Sequence, residues 1–174
     1  APAEAARRRR LRPHGAMSLL HRRLKAASEA LSALHRRLLE AARLEYERTH
    51  GPVGGPYAFW ALLTKDPAFA WLRPMTRLMV QLDDLLSRKG PPPARALLLR
   101  MAVRMERLIL PKGEREFAAN LAALLREDAL LAARRADLRR ALERIDRDRL
   151  RPASSTPSRA PSRPPRPPPA ASGP

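Results

Sequence analysis

The side chains best equipped for chemistry stand together in Glu47-Arg48-Thr49-His50, a carboxylate and an imidazole three positions apart. On a helix this spacing puts both groups on one face. Two such pairs, with two further glutamates on facing helices, can hold a di-iron centre. Here a second pair is missing, because all four histidines (His14, His21, His35 and His50) fall within the first 50 residues. His50 also adjoins "GPVGGP", at a helix end, where an imidazole complements the negative pole of the helix dipole. The expectation is no metal and no cofactor. His21 and His35 stand about 21 Å apart along a helix at ~1.5 Å per residue, and each precedes two arginines. They cannot share a ligand and are expected on a solvated face.

Other routes to catalysis close in the same way. Asp83 and Asp84 are helix neighbours pointing about 100° apart, which does not suit an acid–base pair flanking a substrate. "GPVGGP" has the glycines of a phosphate loop but no following lysine, and its prolines remove backbone donors. There is no cysteine, which excludes disulfides, thiolate nucleophiles and thiolate metal sites. Neither a nucleophile elbow nor a zinc-binding helix signature occurs. The chain is expected not to be an enzyme.

Two features point to binding instead. The stretch from Gly55 to Pro74 holds five of the seven aromatic residues: Tyr57, Phe59, Trp60, Phe69 and Trp71. Trp60, Phe69 and Trp71 sit among apolar neighbours at packing spacing, so the stretch reads first as a core plug that caps one end of the fold. Exposed, the same five rings would anchor a protein partner. The second feature is Arg100, Arg104 and Arg107, spaced four and three, with Arg95 near the same side and Glu106 the only acid in that helix. Such a single-sign stripe suits phosphate, and so a nucleic acid.

The elements that must position these residues follow from composition. Leucine, alanine and arginine dominate, glycine is scarce and β-branched residues are few, which favours helix throughout. Met17, Leu20, Leu24, Ala27, Leu31, Leu34, Leu38 and Ala41 alternate spacings of three and four, predicting one long helix to about Arg48. "YAFWALLT" predicts a short helix, and Asp66-Pro67 an N-cap followed by a first-turn proline. Pro74 should kink or restart the chain. Met75, Leu78, Leu82 and Leu85 then form an apolar face to about Arg88. A further helix is expected from near Pro93 to Leu110 along Ala94, Leu97, Leu98, Met101, Met105, Leu108 and Ile109. The last is expected as one unbroken helix from near Glu114, along Phe117, Leu121, Leu124, Leu131, Leu138, Leu142 and Ile145. Its seam is continuous only if Asp128 and Arg135 occupy two places in it, setting register or facing solvent.

The expected fold is thus all-α: an antiparallel bundle of four main helices, long-short-short-long, plus a short aromatic-rich helix. It occupies residues 17–150 as one domain, between disordered tails at 1–16 and 151–174. The segment before Met17 reads as an in-frame extension or a processed leader. The net charge of +18 divides into +4 for residues 1–16, +4 for 151–174 and +10 for the middle. A GC-rich coding sequence would inflate arginine, alanine and proline with no functional meaning. Nine of the nineteen prolines lie in the last 24 residues, where Pro161-Ser162-Arg163-Pro164-Pro165-Arg166 matches a PxxPxR pattern. In so biased a segment the match carries little weight. No apolar run approaches the ~20 residues of a membrane helix, and no secretory signal is recognisable.

The expected function is that of a cytoplasmic, non-enzymatic bundle working through protein contacts as an adaptor, regulator or assembly factor. The alternative is a basic nucleic-acid-associated protein using the arginine stripe and the tails. The uninterrupted first seam can pair within the chain or with a second copy, so a homodimer is also entertained.

Overall fold

A computed structural model describes residues 19–110 and 113–150, with side chains up to 147. Among the described residues every regular element is helical. The elements are α1 (Leu19–His50), α2 (Pro56–Lys65), a 3-10 segment (Pro67–Leu72), α3 (Arg73–Ser87), α4 (Arg95–Ile109), α5 (Arg115–Glu127) and α6 (Ala129–Leu150). The all-α expectation holds. Met17, both tails and the PxxPxR pattern lie outside the described residues.

The leucine seam of α1 forms the spine of the core. Leu20, Leu24, Ala27, Leu31, Leu34, Leu38 and Ala41 are all buried, as their three-four spacing requires. α1 makes its most extensive contact with α6, and polar links along the pair fix its direction. The Arg23 guanidinium donates to the carbonyl of Arg144 near the start of α1. Arg37 pairs farther along with Asp128, the residue before α6, and Arg48 near the end of α1 with Glu127, the last residue of α5. The long first and last helices therefore run antiparallel. α3 and α4 add Met75, Leu78, Leu82 and Leu85, and Leu98, Met101, Met105, Leu108 and Ile109, to the same core. Ala94 does not line that face: it is exposed, with α4 beginning one residue later.

The last expected helix is two. Asp128 has extended backbone, φ −121° and ψ 96°, ending α5 and opening α6. Its carboxylate accepts from the backbone N–H of Leu131 at 2.9 Å, the N-cap interaction that satisfies a helix-start donor. Arg37 Nη2 lies 2.6 Å from the same carboxyl group. Burial pushes the Asp128 pKa up, but the Leu131 N–H and the Arg37 charge outweigh it and hold the pKa below the usual value. The other polar seam residue, Arg135, donates from Nε and Nη2 to the carbonyl of Ile109, at 3.2 and 2.9 Å. Asp128 and Arg135 thus both satisfy helix-end groups, and Asp128 also pairs with the Arg37 side chain of α1. The apolar seam survives the break, since Phe117, Leu121, Leu124, Leu131, Leu138, Leu142 and Ile145 are all buried.

Geometry requires glycine at Gly51 and Gly113, as it does at Gly90, where φ is +140°. Gly51 ends α1 at φ +82°, its N–H donating to the carbonyl of Glu47 at 3.0 Å. At Gly113 an added Cβ would sit 2.6 Å from the carbonyl oxygen of Arg107, so only glycine lets the α4–α5 loop pass so close.

Candidate interaction site

The aromatic stretch divides into an inner and an outer group. Asp66 caps the 3-10 segment, its Oδ1 accepting from Ala68 N–H at 2.8 Å, and Pro67 follows in the first turn as expected. That segment drives Phe69 and Trp71 inward, at 2% and 8% exposure. Phe69 packs between Tyr46, with ring centroids 5.1 Å apart, and Phe59, at 5.7 Å and edge-on. Trp71 lies 5.9 Å from Phe117 of α5. These two rings, with half-buried Phe59, are the expected plug. Trp60 is not part of it. It is 56% exposed, and Tyr57 beside it is 82% exposed, their centroids 6.2 Å apart on the outer side of α2. The five rings therefore do not form one binding surface, because Phe69 and Trp71 are consumed by the core.

Beside the packing of Phe59, Leu62 and Leu63 on the core, a few directional contacts hold α2 and the loop before it. Glu47 accepts from Arg43 Nε at 2.9 Å and from the backbone N–H of Val53 at 3.0 Å, while Arg43 Nη2 donates to the Val53 carbonyl at 3.0 Å. This clamp folds the "GPVGGP" loop back on α1. The Arg43 guanidinium, and then the Val53 N–H, hold the Glu47 pKa below the usual carboxylate range. Arg43 also lies over the ring of Phe59, 5.6 Å from its centroid. Tyr46 donates its hydroxyl to Asp66 Oδ2 at 3.1 Å, and burial followed by that bond pushes its phenol pKa up.

Glu47 and His50 consequently do not converge. The Glu47 carboxylate is turned to Arg43 and Val53. The His50 ring stacks on Tyr46 at 4.0 Å and 7° between planes, with Nδ1 at 3.1 Å from the Tyr46 carbonyl and 2.7 Å from Thr49 Oγ1. Beside this stack opens a groove of about 300 Å³ between the end of α1, the 3-10 segment and α5. It was not foreseen from sequence, since its walls come from residues far apart in the chain.

The histidines of α1 also differ from expectation. His21 is buried and His35 half-buried, and both line a groove of about 670 Å³ against Met79, Asp83 and Leu86 of α3. His35 Nε2 is buried with no hydrogen-bond partner, and desolvation lowers the His35 pKa below 6.5. A signal was present: His21, Ser28, Ser32 and His35 keep spacings of seven, four and three, a second stripe flanking the leucine seam. α3 covers that flank.

On α4, Arg95, Arg100, Arg104 and Arg107 are all exposed. Arg100, Arg104 and Arg107 lie away from the buried Leu98, Met101, Met105 and Leu108, whereas Arg95, at the helix start, is turned to the flank. Arg104 Nη1 donates to Gln81 Oε1 at 2.6 Å. Arg104 and Arg107 line a groove of about 690 Å³ with Pro74, Leu78 and Glu114. Asp83 and Asp84 are both exposed, and only Asp83 faces the α1–α3 groove. No helix among the described residues is long and apolar enough to cross a membrane. The chain matches no family model, no curated protein and no solved structure.

Proposed function

We propose that the protein is a non-enzymatic, cytoplasmic helical bundle that acts through protein–protein contacts, as an adaptor, regulator or assembly factor, with α2 as its contact element. One observation supports this reading above the others. α2 is the segment PYAFWALLTK, mostly apolar, yet none of its residues is buried. A helix apolar on several sides normally lies inside a fold. Here Phe59, Leu62 and Leu63 pack partly on the core, while Tyr57 and Trp60 face outward. Covering the two outer rings removes roughly 250 Å² from water, a gross gain of about 6 kcal/mol at ~25 cal/mol per Å². Association costs ~4–15 kcal/mol, so the rings would be anchors within a larger interface.

The test is capture of partners by the full chain and by a Tyr57→Ser/Trp60→Ser variant, from nuclease-treated extract. The reading expects a defined set of proteins retained as salt rises and lost with the double variant. Retention of the same set by the variant overturns it. Sedimentation of both forms over a range of concentrations tells whether a second copy is the partner.

The arginine stripe favours a second reading, nucleic-acid association, because Arg100, Arg104 and Arg107 share an exposed face of α4 and Arg95 is exposed at its start. Binding of that kind weakens by about three decades or more between ~0.05 and ~0.2 M salt when six or more phosphates are contacted. Replacing Arg100, Arg104 and Arg107 by glutamine should then abolish it. Apolar contacts through α2 should keep their strength over the same range and ignore the substitutions.

A further inference from the structure

The outer face of α2 carries the two most exposed rings among the described residues. Tyr57 and Trp60 stand 6.2 Å apart with their planes tilted by 31°, and neither is covered by another element. A groove of about 590 Å³ runs along the next face of α2, lined by Val53, Ala58, Ala61 and Lys65. Ala61 lies one helical turn on from Tyr57, so the rings and the groove adjoin.

Such a face suits a second copy poorly. Two rings on each of two copies would bury roughly 500 Å² in total, against ~1,200–2,000 Å² in a stable interface. It suits a proline-rich strand better. Proline carries no N–H, and its fixed φ holds a strand in polyproline II before it binds, so little entropy is lost on docking. Aromatic-lined grooves are what receive such strands, and here the phenol O–H and the indole N–H can donate to the strand's carbonyls.

This chain carries such a segment. Residues 164–169 read Pro-Pro-Arg-Pro-Pro-Pro, the densest run of prolines in the sequence. The helices give the distance the segment must cross. Arg23 bonds the Arg144 carbonyl, so the end of α6 at Leu150 lies about 9 Å beyond that level at ~1.5 Å per residue. From Arg23 to Glu47, whose carboxylate anchors the loop before α2, α1 rises about 36 Å more. The sum is about 45 Å, which about 15 residues of polyproline II cover at ~3.1 Å each. Counted from Leu150, that reach ends at Pro165, inside the proline run.

We propose that residues 164–169 of the chain's own tail lie across Tyr57 and Trp60 in the free protein and are displaced when a partner takes α2. The proposal rests on the contact reading of α2 and supplies its regulation. Because the tail is tethered, it meets the rings at an effective concentration on the order of 1 mM, so a contact too weak to hold a separate molecule still forms. With a dissociation constant of about the same size, the rings are covered roughly half the time, and Trp60 stays far more accessible than Trp71.

Acrylamide quenching of Trp60 reads the contact in the full chain, with Trp71→Phe making Trp60 the sole tryptophan. Replacing Pro164, Pro165, Pro167, Pro168 and Pro169 by serine should raise the quenching constant about twofold at every protein concentration, since half-time cover is removed. A synthetic peptide of residues 161–169, added to that serine variant at millimolar concentration, should restore the protection. The same peptide with serine for each proline should not. If helical circular dichroism shows that Trp71→Phe does not fold, the chain with both tryptophans serves, because buried Trp71 adds a constant, poorly quenched background. Unchanged quenching in the serine variant, equal protection by the proline-free peptide, or quenching that varies with protein concentration overturns the proposal. Partner capture separates it from the reading it rests on. Capture lost in Tyr57→Ser/Trp60→Ser, with quenching indifferent to the tail prolines, removes the tail contact alone. Quenching that depends on the tail, with capture indifferent to the two rings, removes the contact reading and the regulation with it.

Discussion

The two ends of α1 are built on different principles. From Leu24 to Leu38 the helix is held mainly by apolar area, with the Arg37–Asp128 pair as a polar link near its end: Leu24, Ala27, Leu31, Leu34 and Leu38 have no solvent exposure. From Arg43 to His50 the leucine seam has run out, and the helix holds its neighbours by the Tyr46 ring against Phe69, a buttressed carboxylate and a tyrosine hydroxyl. Burial of area is non-directional and shared by every element of the bundle. Contacts of the second kind are few, local and separable. The comparison implies that damage to the first region unfolds the molecule, whereas damage to the second releases α2 and the loop before it.

The largest effect expected comes where the two regions meet. Phe69 is nearly fully buried and joins Tyr46 of α1 to Phe59 of α2. Phe69→Ala should cost about 3–5 kcal/mol, in the range for large-to-small aromatic core substitutions. Leu34→Ala, in the apolar region, should cost about 2–5 kcal/mol. Denaturant unfolding measures both, but amide exchange distinguishes them. In Phe69→Ala the amides of α2 should exchange faster than global unfolding allows, while in Leu34→Ala all protected amides should accelerate together. Uniform acceleration in both variants would erase the distinction between the two regions.

A smaller effect is expected at the α5–α6 junction, where apolar and directional stabilisation share one residue. Asp128→Ala removes the cap on Leu131 N–H and one of the two carboxylate partners of Arg37, Glu40 being the other, while Arg37 Nε is buried without an acceptor. The expected loss is about 1–2 kcal/mol at neutral pH, that of a strong cap. The sign with pH follows from the lowered pKa of Asp128. The folded state holds its proton less tightly than the unfolded state, so the contribution is complete above the unfolded value of 3.8 and disappears as pH falls through the folded one. Stability curves of wild type and Asp128→Ala should therefore converge in acid.

His35 tests the flank of the apolar region at higher pH. Its pKa is lowered by burial, so below 6.5 the unfolded chain takes up a proton that the folded chain refuses. Stability should fall as pH drops below 6.5 and level off once the folded value is passed. His35→Leu keeps the bulk and removes the orphaned Nε2, and should flatten that part of the curve while leaving the neutral-pH stability equal or higher. A steeper curve in the variant would place the titrating group elsewhere.

How much of this could be read in advance depends on how many faces of a helix carry a signal. The three-four seams of α1, α3 and α4 each mark one face, so the burial of the seam residues followed from spacing, and the all-helical fold with it. The break at Asp128 did not, because the leucine spacing runs through it without a glycine or proline. What ends the helix is one side chain binding a backbone N–H three residues on, the same capping chemistry that was legible at Asp66 because Pro67 follows it. The groove beneath Glu45 and Glu127 was hidden for another reason: α1, the 3-10 segment and α5 each contribute part of it, and no local pattern joins them.

Trp60 and Trp71 show the limit most directly and give the smallest effect on stability. Both tryptophans lie among apolar neighbours, but α2 is apolar on several sides and so has no direction that spacing could reveal. Tertiary contact decides: the Trp71 ring meets Phe117 of α5, whereas the Trp60 ring meets Tyr57 of its own helix. Trp60→Ala and Tyr57→Ala should therefore each change stability by no more than about 0.5 kcal/mol, the range for exposed positions, despite deleting large apolar side chains. Trp71→Ala should cost about 3 kcal/mol or more. Fluorescence gives an internal check, because removing Trp60 should subtract a red-shifted, readily quenched component and leave the blue-shifted emission of Trp71. If Trp60→Ala instead destabilised the fold as Trp71→Ala does, both rings would belong to the core and α2 would have no outer face to offer a partner.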